Sequence, residues 1–128
     1  MPAAYGAAVE LPKWTIVAAG GAAGAALRWL VVEATDDALW SLVGVNAVGA
    51  FLLGTIVHGI FDRGTTVRLI FGVGFCGALT TFSTLAVAVA GRLDDGRLID
   101  AIGVAGASVA AGLAAAVLGA STAHRAAR

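Results

Sequence analysis

The chain has 128 residues, of which 59% are hydrophobic and only 12% are charged, and its mean hydropathy is +0.93. Soluble domains carry about 25% charged residues, so this composition excludes a soluble globular protein and indicates one membrane domain over residues 1–128. The formal charge is zero, so no basic surface points to a nucleic-acid partner. The single cysteine, Cys76, excludes an intrachain disulfide and a multi-cysteine metal site.

Four apolar segments follow one another along the chain, with short polar loops between them. About 20 apolar residues cross the hydrocarbon core of a bilayer as a helix, and the segments lie at about residues 14–32, 39–61, 66–90 and 98–120. We therefore expect an all-α membrane protein with four transmembrane helices. Tryptophans are enriched at the membrane interface, and three of them lie near span ends: Trp14, Trp29 and Trp40.

The first span carries a face of small residues with one arginine on it. Gly20 and Gly24 form a GxxxG pair, which is typical of close helix packing in membranes, and Arg28 follows at the same spacing. The three residues therefore share one face of the helix. A charged residue within a span marks a functional position, and snorkelling to the nearby interface is the alternative.

The third span contains an interruption at residues 72–84, with the sequence GVGFCGALTTFST. It places three glycines and four hydroxyl residues within a stretch that is otherwise apolar enough to span a membrane. Backbone groups released from a helix in hydrocarbon cost several kcal/mol each unless they are partnered. We therefore expect a broken third helix here that faces protein, water or an ion, and with it a functional site.

The fourth span also has a face of small residues. Ser108, Gly112 and Gly119 lie on it, and close helix packing is the expected use of this face.

The acidic side chains fall in tails, loops or the first turn of a span, away from the membrane midplane. They are Glu10, Glu33, Asp36, Asp37, Asp62, Asp94, Asp95 and Asp100. A proton-coupled carrier needs an exchangeable carboxylate within the membrane, so this distribution weighs against a small four-helix multidrug or cation exporter.

An enzyme is not expected, because a nucleophile such as Ser83 would have only His58 or His124 as its base. The alternatives left open are uncoupled transport and a membrane assembly subunit whose small-residue faces serve packing.

Three blocks, in the order of the family, resemble the Fluc (CrcB) fluoride channels. They are GGAAGAALRW at residues 20–29, VNAVGAFLLG at 45–54 and GFCGALTTFST at 74–84, of which the third is the most specific. The resemblance implies a fluoride-specific channel of the cell membrane that lowers cytoplasmic fluoride by passive efflux. It also implies an antiparallel, dual-topology dimer of four-helix subunits, braced by a structural sodium ion that is not transported.

The resemblance also implies which residues line the fluoride path. Asn46 matches the pore-lining asparagine, and Phe82 matches a pore phenylalanine whose ring edge faces the ion. Ser83 and Thr84 would supply hydroxyl donors. The alternatives are that Phe82 is a core residue and that Asn46 makes an interhelical hydrogen bond.

Three further residues have an implied role beside the path. Arg28 matches the first-span arginine of the family and would organise the helix break or the vestibule. The backbone carbonyls of Gly77 and Thr80, from each subunit, would hold the sodium ion. A hard cation suits oxygen ligands of this kind.

Two positions depart from the family pattern. A second phenylalanine usually follows the first at a spacing of three, whereas this chain has Leu85. Many members carry a tyrosine in the fourth span, whereas Ser108 is the only hydroxyl residue at positions 98–120 here. The pore lining is therefore expected to be thinner than usual.

The loop charges are unequal on the two sides of the membrane. When Arg28 within the first span is omitted, the side that holds both termini and the second loop carries Lys13, Arg63, Arg68, Arg125 and Arg128, and the other side carries Arg92 and Arg97. Basic residues favour the cytoplasmic side, so the N-terminus is expected inside. A committed orientation requires an oppositely inserted partner for an antiparallel pair. We therefore favour a heterodimer, with a homodimer of modest bias as the alternative.

Overall fold

The computed structural model describes residues 12–36, 38–58 and 64–126, which form helices joined by short turns. Four spans within these residues are long and apolar enough to cross a membrane. The first, second and fourth spans are single helices: α1 (Lys13–Glu33), α2 (Ala38–Val57) and α6 (Leu98–Ala126). This confirms the prediction of an all-α protein with four membrane spans.

The third span is a composite of four helical pieces. It consists of α3 (Thr65–Val67), a π-helical segment (Arg68–Cys76), α4 (Gly77–Leu79) and α5 (Ser83–Asp94). The helix is interrupted at residues 80–82, between α4 and α5. The predicted broken third helix is thus present. Within the expected interval of residues 72–84, the break lies among the hydroxyl residues, whereas the part that contains the three glycines is helical.

The predicted C-terminal limits of three spans differ from the observed helices. The third span continues past residue 90, and α5 ends at Asp94. The fourth helix continues past residue 120 to Ala126, and Ser121 Oγ and Thr122 Oγ1 donate hydrogen bonds to carbonyls of their own helix, each at 2.8 Å. Hydroxyl side chains can be accommodated within a helix when they bond back to it in this way. The second helix ends at Val57, and residues 59–61 of the predicted span lie outside the described residues.

α1 packs backbone to backbone on the π-helical segment. A Cβ atom at Gly20 would overlap the carbonyl oxygen of Ile70, and one at Gly24 would overlap that of Phe75. From the other side, a Cβ at Gly74 would lie 2.6 Å from the Val17 carbonyl oxygen. The predicted packing role of the GxxxG pair is therefore confirmed.

α2 packs on α6 in the same manner. A Cβ atom at Gly54 would overlap the Ala116 carbonyl, and one at Gly119 would overlap the Phe51 carbonyl. The buried Thr55 hydroxyl lies within hydrogen-bond distance of the Phe51 and Gly119 carbonyls, at 2.9 and 3.3 Å. Gly112, also expected on this packing face, has no atom of the described chain within 4 Å of its Cβ position, so that expectation is wrong within one subunit.

A small hydrophobic core joins these two pairs of helices at the level of the break. Its buried members come from α2, α4 and α5: Leu42, Val45, Leu79 and Leu85. Cys76 is 2% exposed and acts as a small packing residue. The core holds the two ends of the interrupted third span against α2.

Candidate functional site

The break in the third span begins at Thr80, whose backbone turns from helical to extended geometry with φ −84° and ψ 150°. The Thr80 N–H and Oγ1 both donate to the Cys76 carbonyl, at 3.1 and 3.0 Å, which completes the last turn of α4. The chain then runs without helical structure until α5 begins at Ser83. Peptide groups in this stretch need partners from outside the helix.

Asn46 of α2 supplies partners for one residue of the break. Its Nδ2 donates to the Thr81 carbonyl at 3.0 Å, and the Thr81 N–H donates to its Oδ1 at 2.8 Å. One side chain thus satisfies both backbone groups of Thr81. In a continuous helix the Thr81 N–H would bond to the Gly77 carbonyl, four residues earlier. Because that N–H donates to Asn46, the Gly77 carbonyl lies at an open helix end.

Arg28 of α1 reaches the same break from the other side. Its Nη1 donates to the Thr80 carbonyl at 3.3 Å, in a part-buried position. Gly24, one turn earlier on the same face, lets α1 approach the Phe75 backbone closely enough for this contact. The first-span arginine and the second-span asparagine therefore hold adjacent peptide groups of the break.

The hydroxyl groups after the break form a small exposed cluster. Thr81 Oγ1 lies 3.1 Å from Ser83 Oγ and 3.4 Å from Thr84 Oγ1, and the Thr84 N–H donates to Thr81 Oγ1 at 3.5 Å. These groups surround the N-terminal turn of the 12-residue α5. The N-terminal end of a helix carries a partial positive charge, so the cluster is suited to an anion.

Two cavities open beside the break, and each is lined by part of the predicted site, whereas Ser83 and Gly77 line neither. The first, of about 310 Å³, is lined by Asn46, Ala50, Thr80, Thr81, Phe82, Leu85, Ser108 and Val109. The second, of about 410 Å³, is lined by Ala25, Arg28, Trp29, Val32, Leu39, Leu42, Thr84 and Ala88. Asn46 and Phe82 therefore share one cavity, while Thr84 and Arg28 share the other, with the hydroxyl cluster between them.

Phe82 and Leu85 lie on the first cavity in very different environments. Phe82 is 79% exposed in the single chain, so it is not a core residue of the subunit, whereas Leu85 is 8% exposed and belongs to the core. The residue at the position of the family's second phenylalanine therefore packs into the protein. An exposed phenylalanine at membrane depth is available to a partner or an ion.

Ser108 of α6 lines the first cavity, although it also lies on the face of the fourth span that was expected to serve packing. Its Oγ is buried, and it has no hydrogen-bond partner among the described residues. A buried hydroxyl without a partner costs free energy, so such a group marks a position where a ligand or water would bind. The signal in the sequence was that Ser108 is the only hydroxyl residue at positions 98–120.

Gly77 lies on the surface of the chain, and its carbonyl oxygen lacks the Thr81 N–H that would be its helical partner. The residue is exposed, and no atom of the described chain lies within 4 Å of its Cβ position. Thr80 is the other residue of the expected sodium site, and its carbonyl oxygen already accepts a hydrogen bond from Arg28. A carbonyl oxygen has two lone pairs, so the donor set still offers oxygen ligands for a hard cation.

Comparison with known proteins gives consistent matches over nearly the whole chain. The family described as CrcB-like protein, Camphor Resistance (CrcB), matches residues 15–120. The Fluoride-specific ion channel FluC 1 of Halobacterium salinarum is 43% identical over 109 residues, which cover 83% of this chain and 90% of that protein.

Relatives in bacteria give similar values. The Fluoride-specific ion channel FluC 2 of Rhodococcus jostii is 42% identical over 107 residues, or 81% of this chain and 92% of that protein. The protein of the same name in Parasynechococcus marenigrum is 38% identical over 118 residues, or 91% of this chain and 84% of that protein. The resemblance seen in the sequence is thereby confirmed, and this multi-pass membrane protein belongs to the CrcB family.

Proposed function

We propose that this chain is a subunit of a fluoride-specific ion channel of the cell membrane, which lowers cytoplasmic fluoride by passive efflux. Its relatives at 38–43% identity bear the name fluoride-specific ion channel. The observation that carries the proposal is the break at residues 80–82, where Asn46 holds the Thr81 backbone at the edge of a cavity. Such an interruption is tolerated at membrane depth where it lines a path or a site.

The groups around the break suit a small anion that must enter and leave quickly. Asn46 uses one of its two amide hydrogens on Thr81, and the other can donate to an anion. The hydroxyls of Ser83 and Thr84 are further neutral donors, and the edge of the exposed Phe82 ring is positively polarised. Neutral donors replace the hydration of fluoride without trapping it as a fixed charge would.

Arg28 has a supporting role in this proposal. Its guanidinium bonds to the Thr80 carbonyl and also lines the cavity that contains Thr84. It therefore fixes the geometry of the break and adds a positive potential next to the hydroxyl cluster. A positive potential raises the local concentration of an anion.

The two competing functions, a proton-coupled exporter and a membrane assembly subunit, agree less well with the described residues. A small proton-coupled exporter needs a carboxylate within the membrane, and the described acidic residues lie at helix ends or in turns. An assembly subunit would need the glycine faces but not the break or the unpartnered Ser108 hydroxyl. An enzymatic role is not proposed, because the described partner of the Ser83 hydroxyl is the Thr81 hydroxyl and not a base.

A structural sodium ion is a further part of the proposal. The Gly77 carbonyl at the open end of α4 and the Thr80 carbonyl would hold it, together with the same groups of a second subunit, since hard cations take oxygen ligands. The ion would neutralise carbonyl dipoles and brace the break. Fluoride flux should fall when a bulky organic cation replaces sodium on both sides, and undiminished flux without sodium would refute this part.

We also propose that the working channel is an antiparallel dimer, with a heterodimer favoured. The inequality of the loop charges, five basic residues against two when Arg28 is omitted, favours one orientation for this chain. The names FluC 1 and FluC 2 among the relatives are consistent with paired paralogues. A partner surface would also cover the exposed Phe82 ring.

Reconstitution into liposomes tests the main proposal. A fluoride electrode should record release of trapped fluoride when a potassium ionophore clamps the voltage, with neither ATP nor a pH gradient. The chain is measured first alone and then with any co-encoded homologue. Absence of release in both preparations, although both proteins are folded and inserted, would overturn the assignment.

A further inference from the structure

The two histidines of this chain meet at one end of the α2–α6 pair, outside the candidate channel site. His58 directly follows α2, His124 lies in the last turn of α6, and the sequence has no other histidine. Their ring centroids are 5.4 Å apart, and the ring planes are inclined at 66°. Both residues are exposed, so the contact shields little ring surface from water.

The hydrogen bond of His58 determines which of its ring nitrogens is available. Nδ1 lies 2.9 Å from the Gly54 carbonyl oxygen, which can only accept, so Nδ1 carries the hydrogen. The lone pair of the neutral ring is therefore on Nε2. A histidine that binds a metal through one nitrogen ordinarily donates its other N–H to a backbone carbonyl or carboxylate in this way.

The edge-to-face rings are close enough together for two imidazoles to bind one metal ion. A zinc–nitrogen bond of about 2.0–2.1 Å, plus about 1.1 Å from nitrogen to ring centre and a tetrahedral angle, gives centroids about 5.2 Å apart. The observed separation of 5.4 Å is close to that value. Within the described residues no cluster of three or more metal-binding side chains is present, so the two rings are the ligands on which the site rests.

We propose that His58 and His124 form a binding site for a late first-row divalent metal ion such as Zn²⁺. Imidazole is a suitable ligand for zinc, copper and nickel, whereas sodium prefers oxygen. The ion would join the C-terminal ends of α2 and α6. These two helices also carry Asn46 and Ser108, so the metal would stiffen the pair that lines the first cavity.

Zinc binding by the purified protein, carrying an affinity tag without histidines, tests the site. Wild type should bind about one Zn²⁺ per chain in a calorimetric titration and should unfold at a higher temperature with zinc present. His58→Ala should weaken binding at least about tenfold, since even the loss of an outer-shell partner costs 10–100-fold. The matched control is Arg125→Ala, which leaves both rings in place and should retain the affinity or raise it slightly.

His124→Phe separates metal binding from simple packing of the rings. Phenylalanine preserves an edge-to-face ring contact but has no lone pair, so zinc binding and the zinc-dependent rise in unfolding temperature should both disappear. Cobalt(II) offers a second readout, because its tetrahedral visible absorption should appear with wild type and not with this variant. The proposal is overturned if wild type binds no more zinc than the His58→Ala/His124→Ala double variant, or if His124→Phe binds zinc as wild type does.

Discussion

A single asparagine replaces the helical hydrogen bonds that the third span loses at its break. Asn46 lies 35 residues from Thr81 in the sequence, yet its amide bonds to both the N–H and the carbonyl of that residue. Each of these groups would cost several kcal/mol if it were left unpaired in hydrocarbon. Only one of the two amide hydrogens of Asn46 is used on Thr81. The same side chain can therefore hold the break and donate to fluoride, as proposed.

Asn46→Asp tests this double use. The carboxylate can still accept from the Thr81 N–H but cannot donate to its carbonyl, and it places a negative charge on the anion path. We expect fluoride flux to fall at least about tenfold, with about 1–3 kcal/mol lost from the free energy of unfolding. Val48→Ala, at an exposed position of the same helix, is the control for both readouts. Wild-type flux in the Asp variant would place Asn46 outside the path.

Ser108→Ala tests the hydroxyl that has no partner in the described chain. Removing a buried, unpaired hydroxyl should leave stability unchanged or slightly higher, whereas fluoride flux should fall several-fold if that hydroxyl donates to the ion. Flux and unfolding temperature are measured on the same preparation. Ser121→Ala, whose hydroxyl bonds to its own helix, should change neither. A stability loss with normal flux would assign Ser108 to packing.

At the scale of elements, hydropathy and residue type predict the four spans and the interrupted third helix, because both depend on local sequence. An interhelical hydrogen bond of Asn46 is one of the alternatives that the sequence leaves open, but Thr81 as its partner was not predicted, because this pairing depends on how α2 packs against the break. The helical geometry of Gly72 and Gly74 has the same origin, since neighbouring helices bury both residues. Conversely, Ser121 and Thr122 resemble a polar tail in sequence but bond back onto α6.

Gly24→Ala tests the close approach of α1 to the third span. The added Cβ would overlap the Phe75 carbonyl oxygen, so α1 must move and Arg28 would lose its contact with Thr80. We expect a loss of about 1–3 kcal/mol in stability, as for other overpacked positions, together with reduced flux. Gly91→Ala is the matched control, because its Cβ position is open and alanine favours the helix. Equal stability of the two variants would contradict the packing described for α1.

At the scale of the whole molecule, one subunit leaves large apolar residues and Phe82 exposed along its spans. Lipid can cover the apolar residues, but the cavity with Asn46, Leu85 and Ser108 is open at its edge. Leu85 packs into the core, so Phe82 is the aromatic residue that lines this cavity. In the proposed heterodimer, the oppositely inserted subunit would supply a second aromatic ring at this level.

Expression of the chain alone and with a co-encoded homologue tests the heterodimer. The chain alone should protect fluoride-sensitive cells poorly, and co-expression should restore protection. A reporter fused to the C-terminus should be almost wholly cytoplasmic, because the basic residues favour that orientation. Full protection by the chain alone, with reporters on both sides of the membrane, would instead indicate a homodimer.

The ratio of fluoride to chloride flux tests the central claim most directly. Liposomes containing the assembled channel are loaded with equal concentrations of the two ions, and both are followed under the same voltage clamp. The neutral hydrogen-bond donors around the break, from Asn46, Ser83 and Thr84, suit the smaller ion. Fluoride should therefore leave at least about a hundred times faster than chloride. Equal rates for the two ions would contradict a fluoride-specific path at the break held by Asn46 and Arg28.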